Sequence, residues 1–476
     1  MRSKSSKFPW LAPGAMLLAL SVAASAQTAP QVEQILNRLD QLEKDNQTLI
    51  EEVRSLRQEI AGLRAQPGPA AQEHAQNLEE QKAGQEQKTP EQTTADRQAV
   101  ITSRVDELAQ TKVESSEKFP IRITGMALFN ASVNGRFNGN AENPLVASRT
   151  PGEMTGDGTL RQSTLGLLFN GPQTFANGKI SGSLYMDFFA GSTASLDHLI
   201  RLRTAAVNID WKNTSVMVGQ DKPLLSPRDP TSFAQVAYSP LTGAGNLWLW
   251  QPQGRVEQRF SLGDSSGIRA QANVIVTSSL DYAAPPYTTT QPSQQQEYSS
   301  PGAEGRLEFW HRWSANGRLE IAGGYHFNQN RIVETLVPTE VYSADWFFRP
   351  VSRLEFSGTV FHGRNVATLG SLPQGVIVRS YQGNIIGVHS TGGWAQIRVP
   401  ITSRLAWDVY GGQQDDRNSD LGFGNIAKNQ GYFSNLIYRI APNVLVSLEG
   451  GQVRTTYLGL GNRLNDHYDL GLAYLF

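Results

Sequence analysis

The chain has 476 residues, 42 Lys and Arg against 43 Asp and Glu, a formal net charge of −1 and no cysteine. The balanced charge argues against a nucleic-acid-binding protein, which needs a basic surplus. The lack of cysteine excludes disulfides and a lipid-modified N-terminal cysteine. Past the first 26 residues no apolar run approaches 18 residues, so no transmembrane helix is predicted.

Residues 1–26 have the layout of a cleavable secretory signal peptide. Three basic side chains lie within the first seven residues, an apolar run follows at 15–22, and Ala24-Ser25-Ala26 forms a small-residue cleavage site before Gln27. The alternative is an N-terminal anchor helix, but the apolar run is too short to span a bilayer comfortably.

Residues 27–65 are predicted to form a periplasmic coiled coil, because an unbroken heptad repeat runs from 32 to 64. At 1.5 Å per residue this helix is about 50 Å long. Three of its four g-to-e′ pairs, such as Arg38–Glu43, join opposite charges in a parallel assembly, so we expect self-association. The alternative is a single amphipathic helix packed on its own domain. The predicted association residues are Val32, Ile35, Arg38, Leu39, Leu42, Glu43, Asn46, Leu49, Val53, Leu56, Ile60 and Leu63.

The sequence leaves open whether this coiled coil has two or three helices. β-branched residues at a with Leu at d, and Asn46 at an a position, favour a dimer. The pattern from Arg38 to Glu43 resembles one associated with trimeric coiled coils, and Ile50 at an e position widens the apolar stripe. We expect a trimer.

Residues 66–118 are predicted to be a linker. Pro67, Gly68, Pro69 and Pro90 lie among Gln, Glu and Ala, with little apolar surface for a core. A short helix is predicted near 100–113.

Residues 119–476 alternate in the manner of membrane β-strands. Counting back from Phe476 in steps of two gives Tyr474, Leu472, Leu470 and Tyr468, whereas the intervening residues are small or polar apart from Leu475. One apolar face and one polar face suit a wall with lipid outside and water inside. A terminal strand that ends on Phe is also typical of clients of the barrel-assembly machinery.

Tight turns alternate with long polar connections along this region. Turns are predicted at 313–317, 349–352, 400–403 and 440–443, and long loops at 131–158, 221–246, 280–303, 363–383 and 412–430. Short turns on one rim and long loops on the other are typical of outer-membrane barrels. We predict an all-β transmembrane barrel of about 16 antiparallel strands, with 14 or 18 as alternatives.

The order of signal peptide, coiled coil and wide barrel ending in Phe resembles the DcaP-like trimeric porins. The phosphate-selective porins O and P are similar in type. The resemblance covers the mature chain as an architecture, without a matching residue motif. It implies an outer-membrane channel for small hydrophilic solutes, with a family preference for small organic anions such as carboxylates. It also implies a homotrimer held by the coiled coil and the barrel walls.

Strand parity selects the residues that face the interior. Facing Arg201 and Arg203 inward also turns Val207 and Ile209 inward, unless a bulge or a polar outer face at a protomer contact intervenes. The pore-lining candidates are Arg122, Lys179, Arg201, Arg203, Arg255, Glu257, Arg259, Arg306, Arg318 and Arg398. An alternative is that these charges pair along the wall and only rigidify it.

The loop at 221–246 is the candidate constriction, because its prolines stiffen it and Gly243 and Gly245 permit a sharp return. The alternative is an ordinary outward loop. The residues assigned to the constriction are Asp221, Lys222, Arg228, Asp229 and Tyr238.

A barrel enzyme and a structural barrel that tethers the envelope are the competing functions. The seven His residues are scattered without metal-ligand spacing or a nucleophile motif, so we predict no catalytic residues, metal or cofactor. The predicted partners are outer-membrane lipid, the assembly machinery, small solutes and further copies of the chain, with no nucleic acid.

We expect the mature protein to be a trimer in mild detergent. Deletion of residues 32–64 should weaken the trimer while the barrel stays folded, because the heptads contribute apolar contact that the barrel walls do not. Native mass measurement of both proteins tests this, and a wild-type protein that is entirely monomeric contradicts it.

Overall fold

The structure is a computed structural model that describes residues 121–190, 198–277, 301–332, 335–378 and 385–476. The predicted signal peptide, coiled coil and linker lie outside the described residues. Within the described ranges, no helix is both long enough and apolar enough to cross a membrane.

The described chain consists of β-strands and three short 3-10 helices. The strands are β1 Ile121–Asn134, β2 Thr155–Thr159, β3 Thr164–Thr174, β4 Gly178–Ala190, β5 Leu199–Asp210, β6 Thr214–Asp221, β7 Gln251–Ser261, β8 Ser266–Ile275, β9 Gly302–Arg312, β10 Arg318–Ile332, β11 Thr335–Val351, β12 Leu354–Arg364, β13 Val376–Val378, β14 Ile385–Gly387, β15 His389–Pro400, β16 Leu405–Asp416, β17 Ile426–Ala441, β18 Val444–Tyr457 and β19 Gly461–Leu475. The 3-10 helices are Phe175–Asn177, Val366–Leu369 and Asn418–Asp420.

The strands form a closed antiparallel barrel, and the predicted count of sixteen is confirmed. β2 and β3 both pair with β1, on successive parts of its length, so together they make one interrupted barrel strand. β13 and β14 form a separate hairpin. The last strand β19 pairs with β1 from Met126↔Leu475 to Asn134↔His467, which closes the ring. Closure leaves no sheet edge with unpaired backbone groups, as a hydrocarbon environment requires.

The two rims differ in the length of their connections, as predicted. One rim carries the turns 175–177, 211–213, 262–265, 313–317, 352–353, 401–404 and 442–443. The other carries longer connections, among them 135–154, 222–250 and 365–388. Two expected boundaries are wrong. β11 continues through the predicted turn at 349–352 as far as Val351, with a register shift. The loop expected at 412–430 shrinks to 417–425, because pairing of β16 with β17 reaches Asp415↔Lys428.

The barrel wall is apolar outside and polar inside. On β18 and β19, Leu448 and Leu470 are 55% and 43% exposed, whereas Glu449 and Asp469 are 4% and 5% exposed. A soluble barrel has the reverse arrangement, since its apolar side chains fill the interior. The outer face therefore suits a hydrocarbon surrounding.

Three apolar clusters nevertheless lie within the barrel, where loop residues meet inward-facing strand residues. In one of them, Leu241 and Ala244 pack against Trp394, Tyr410 and Phe433. A second joins Leu225 and Leu247 to inward-facing residues of β11 and β12 and to Val366 and Leu369. Full burial of each large apolar side chain contributes about 1.5–3 kcal/mol. These clusters hold loop residues against the inner wall of β10–β19.

A charge on the outer face should destabilise the barrel according to its depth. Leu448→Arg, in the middle of the wall, should lower the free energy of unfolding by about 2–4 kcal/mol. The matched change Gln452→Arg lies nearer the long-loop rim, where Gln452 already bonds Asp466 Oδ1 at 2.8 Å, and should cost about 0–1 kcal/mol. Equilibrium denaturation in lipid bilayers measures both, and equal costs would contradict an outward lipid face.

Candidate functional site: the barrel interior

Residues 222–250, which we call the inner segment, leave the end of β6 and cross the interior of the barrel. The backbone N–H of Leu224 donates to Glu304 of β9 (2.8 Å), and that of Thr231 donates to Gln396 of β15 (2.6 Å). Asn435 of β17 donates to the carbonyl of Thr231 at 2.8 Å. Inward side chains on opposite parts of the wall therefore supply partners for a loop that has no strand neighbour of its own.

A single glutamine fixes the middle of the inner segment. Gln162 lies between β2 and β3, and its side chain is buried. Its amide donates to Ala234 O (2.8 Å) and accepts from the N–H groups of Val236 (2.7 Å) and Ala237 (3.0 Å). A side chain that satisfies three backbone groups at once specifies one loop conformation.

The inner segment then turns sharply and meets a second interior connection. Gly245 has φ +106°, and a Cβ there would lie 2.2 Å from the carbonyl oxygen of Gly393, so glycine is required. Leu249 N donates to Leu369 O at 3.2 Å. Val366 and Leu369, within the stretch 363–383 that was predicted to be a polar loop, thus lie inside the barrel as well.

Water-accessible space remains beside the other half of the wall. A cavity of about 310 Å³ is bounded by inward residues of β4, β5, β6 and β7, including Ser183, Asn208, Arg255, Glu257 and Arg259. The inner segment and the apolar clusters cover much of the inner wall of β10–β19. The open space is therefore displaced toward β4–β7.

Three interior carboxylates are buried, whereas the arginines that pair with them are partly exposed. Asp187 has a fully buried side chain, whereas its partners Arg201 and Arg203 are 24% and 18% exposed. Glu320 (2%) and Asp408 (0%) repeat the pattern with Arg318 (32%) and Arg398 (28%). These three carboxylates pair with four arginines, and the exposed surface of the groups belongs mainly to the arginines. The pair of Arg255 with Asp221 is the reverse, since the two side chains are 19% and 37% exposed.

A bulge accounts for the inward orientation of both Arg201 and Arg203. The pairing of β4 with β5 shifts register between Tyr185↔Thr204 and Met186↔Leu202, which leaves Arg203 as the extra residue. Val207 accordingly points outward and is 46% exposed. Of the two alternatives given by the sequence, the bulge is the one present.

Arg255, Glu257 and Arg259 follow one another on the inward face of β7. Arg255 lies 3.5 Å from Asp221, and Arg259 lies 3.6 Å from Glu257. Arg269 of β8 joins this row, 3.4 Å from Glu308 and 3.9 Å from Glu257. Arg269 was not among the predicted pore-lining residues, although it alternates with the outward-facing apolar residues of its strand.

Three further pore-lining candidates lie elsewhere. Arg306 faces inward, but its side chain is only 1% exposed between Glu308 and Asp345, each 2.8 Å away. Its assignment to the pore surface is wrong, because other side chains cover it. Arg122 and Lys179 are exposed near the short-turn rim.

Of the residues assigned to the constriction, Asp221 is the last residue of β6, and the other four lie at the start and in the middle of the inner segment. Lys222 forms an ion pair with Asp229, and Arg228 pairs with Glu320 and with Asp345 (3.1 Å). Tyr238 packs edge-on to the rings of Phe189 and Trp248, at 5.1 and 5.9 Å. Burial raises the pKa of the Tyr238 phenol, so it stays protonated at neutral pH.

Within the described ranges, no group of three or more His, Cys, Asp and Glu residues is arranged to hold a metal ion. His326 is buried, with its ring nitrogens 3.1 Å from Glu304 and 3.2 Å from Asn328.

The fold is that of outer-membrane channels. The outer-membrane channel DcaP of Acinetobacter baumannii superposes with a TM-score of 0.59 at 15% identity, over 75% of this chain and 97% of that chain. Salmonella typhi OmpF, in a complex with daunomycin, gives a TM-score of 0.49 at 12% identity, over 75% and 97% of the two chains. No family model and no curated protein sequence matches the chain.

Loss of the Gln162 amide should loosen the inner segment. Gln162→Ala leaves three buried backbone groups without partners, so the free energy of unfolding should fall by about 1–3 kcal/mol and open-channel current noise should rise. Gln413→Ala is the matched control, because Gln413 lies on the outer face with one exposed bond to Gln430 at 3.2 Å. Denaturation and single-channel recording compare the two, and equal noise would contradict the anchoring role.

Proposed function

We propose that this protein is an outer-membrane porin, a homotrimer that gives small hydrophilic solutes a water-filled path through the membrane. The proposal is supported by a closed barrel that is apolar outside and lined by polar and charged residues inside, and by the fold it shares with a known channel. The signal peptide at 1–26, the periplasmic coiled coil at 27–65 and the linker at 66–118 belong to this proposal as predictions from the sequence.

The inner segment sets the constriction in this proposal. Because it is bonded to inward side chains around the interior and packs on β10–β19, solutes pass between it and β4–β7. Lys222, Arg228 and Asp229 then border the path, with side chains that are 19%, 26% and 28% exposed. Their mutual pairing and their bonds to the wall favour a fixed rather than a mobile constriction.

The channel prefers small anions, carboxylates among them. The observation that carries this preference is the unequal exposure in the pairs that Asp187, Glu320 and Asp408 form with arginines, where the carboxylate is buried and the guanidinium is not. A buried carboxylate holds its arginine in place, while the arginine presents its free edge to a passing solute. Guanidinium groups stay charged at any physiological pH and match the planar carboxylate. A path bordered by them raises the local concentration of anions.

Reversal potentials across a salt gradient test this preference. We expect the wild type to favour chloride over potassium. The preference should weaken as salt rises from about 0.1 M to 1 M, because the Debye length falls from about 10 Å to about 3 Å. Arg201→Ala with Arg203→Ala, and separately Arg255→Ala with Arg259→Ala, should each reduce the preference.

Arg364→Ala is the matched control for these variants. Arg364 pairs with Glu340 at 2.8 Å on the outer face of the wall, so its loss should leave the reversal potential as in the wild type. A wild type that prefers cations contradicts the proposed selectivity. An Arg255 and Arg259 double variant with unchanged preference would remove those two residues from the role.

A further inference from the structure

One buried carboxylate holds two arginines of the open space. Both oxygens of Asp187 face Arg201, with Nε–Oδ1 at 3.1 Å and Nη2–Oδ2 at 2.6 Å, and Arg203 Nη1 lies 3.4 Å from Oδ2. Phe189 N also donates to Oδ1 at 3.1 Å. The Asp187 side chain has no exposed surface, whereas the side chains of Arg201 and Arg203 are 24% and 18% exposed.

Aromatic rings and the inner segment hold the same two guanidinium groups from the other side. Arg203 lies 4.6 Å from the Trp250 ring, and Arg201 lies 5.4 Å from that ring and 5.5 Å from Tyr238. Arg201 Nη2 also donates to Ala237 O at 2.6 Å. The pair is therefore fixed between β4 and the inner segment, at the place where the proposed path is bordered by both.

We propose that Asp187 is a positioning residue for anion recognition, and that the Arg201–Arg203 pair it orients is the main anion-binding step of the path. This inference rests on the proposed porin function. The bulge places two arginines beside one carboxylate, so the group carries a net positive charge after pairing. Because the guanidinium groups are already oriented, a solute carboxylate binds them without the cost of ordering long side chains.

The charge of Asp187 and its positioning role predict opposite effects of its removal. If the carboxylate acts only as a charge, neutralising it makes the interior more positive and anion binding tighter. If it positions the arginines, neutralising it frees two side chains that must be ordered again for each solute, and binding weakens. The time for which an anion stays bound distinguishes the electrostatic role of Asp187 from its positioning role, whereas the net charge of the interior does not.

The experiment records single-channel current in chloride with glutarate added, and measures how long each glutarate molecule interrupts the current. Asp187→Asn should shorten the interruptions about tenfold, the equivalent of one oriented hydrogen bond to a charged group. Asp210→Asn is the control. Asp210 is the last residue of β5, the strand that pairs with β4, and its carboxylate accepts a hydrogen bond from Ser215 Oγ at 2.6 Å. No arginine of the described chain forms an ion pair with it. Its neutralisation should leave the interruptions as long or longer.

A second pair of changes keeps the charge and removes the planar fork. Arg201→Lys with Arg203→Lys should also shorten the interruptions by at least threefold, and it decides the matter if Asp187→Asn does not fold into a conducting channel. Interruptions that stay as long as in the wild type overturn the positioning role if they are found in Asp187→Asn, and overturn the Arg201–Arg203 binding step if they are found in the double lysine variant. A cation-selective wild type that glutarate never interrupts overturns the proposed function, and this inference with it.

Discussion

The pairing of β1 with β19 is the interaction on which the rest of the structure depends. Hydrocarbon offers no partner for a free N–H or C=O group, so a sheet can cross a membrane only when its first and last strands meet. Sixteen strands closed in this way enclose more space than the wall's own side chains can fill. Everything inside the barrel follows from how the chain occupies that space.

The inner segment and residues such as Val366 and Leu369 occupy part of the interior, and their polar backbones need partners that the wall must provide. Inward residues such as Gln162, Gln396 and Asn435 are those partners, and each lies far from the inner segment in sequence. The same wall positions that would otherwise face water thus become a binding surface for the protein's own chain. Beside the inner segment, arginines supported by a buried acid, such as Arg201 and Arg203, remain partly exposed.

The sequence predicts the barrel well and its interior only in part. The strict alternation in β19 and β10 and the clustered turn residues identify the strands, because an outer face in lipid allows little departure from the pattern. Parity also selects Arg255, Glu257 and Arg259. It cannot show that Arg306 is covered by neighbours, because burial inside a wide barrel depends on where loops settle. Nor can it choose between a bulge and a polar outer face at Arg203, since both break the pattern alike.

The hydrogen bonds that anchor the inner segment limit how such a protein can evolve. Its backbone is hydrogen-bonded by Gln162 and by side chains on several strands, among them Asn130 of β1, Gln396 of β15 and Asn429 of β17. A loop transplanted from a distant relative would therefore meet the wrong set of partners. Single side chains that face the open space, such as Arg269 or Arg259, do not hold the inner segment in place. Changes in solute selectivity should therefore accumulate through single substitutions at such positions of β7 and β8. The inner segment and the wall residues bonded to it should instead be inherited together.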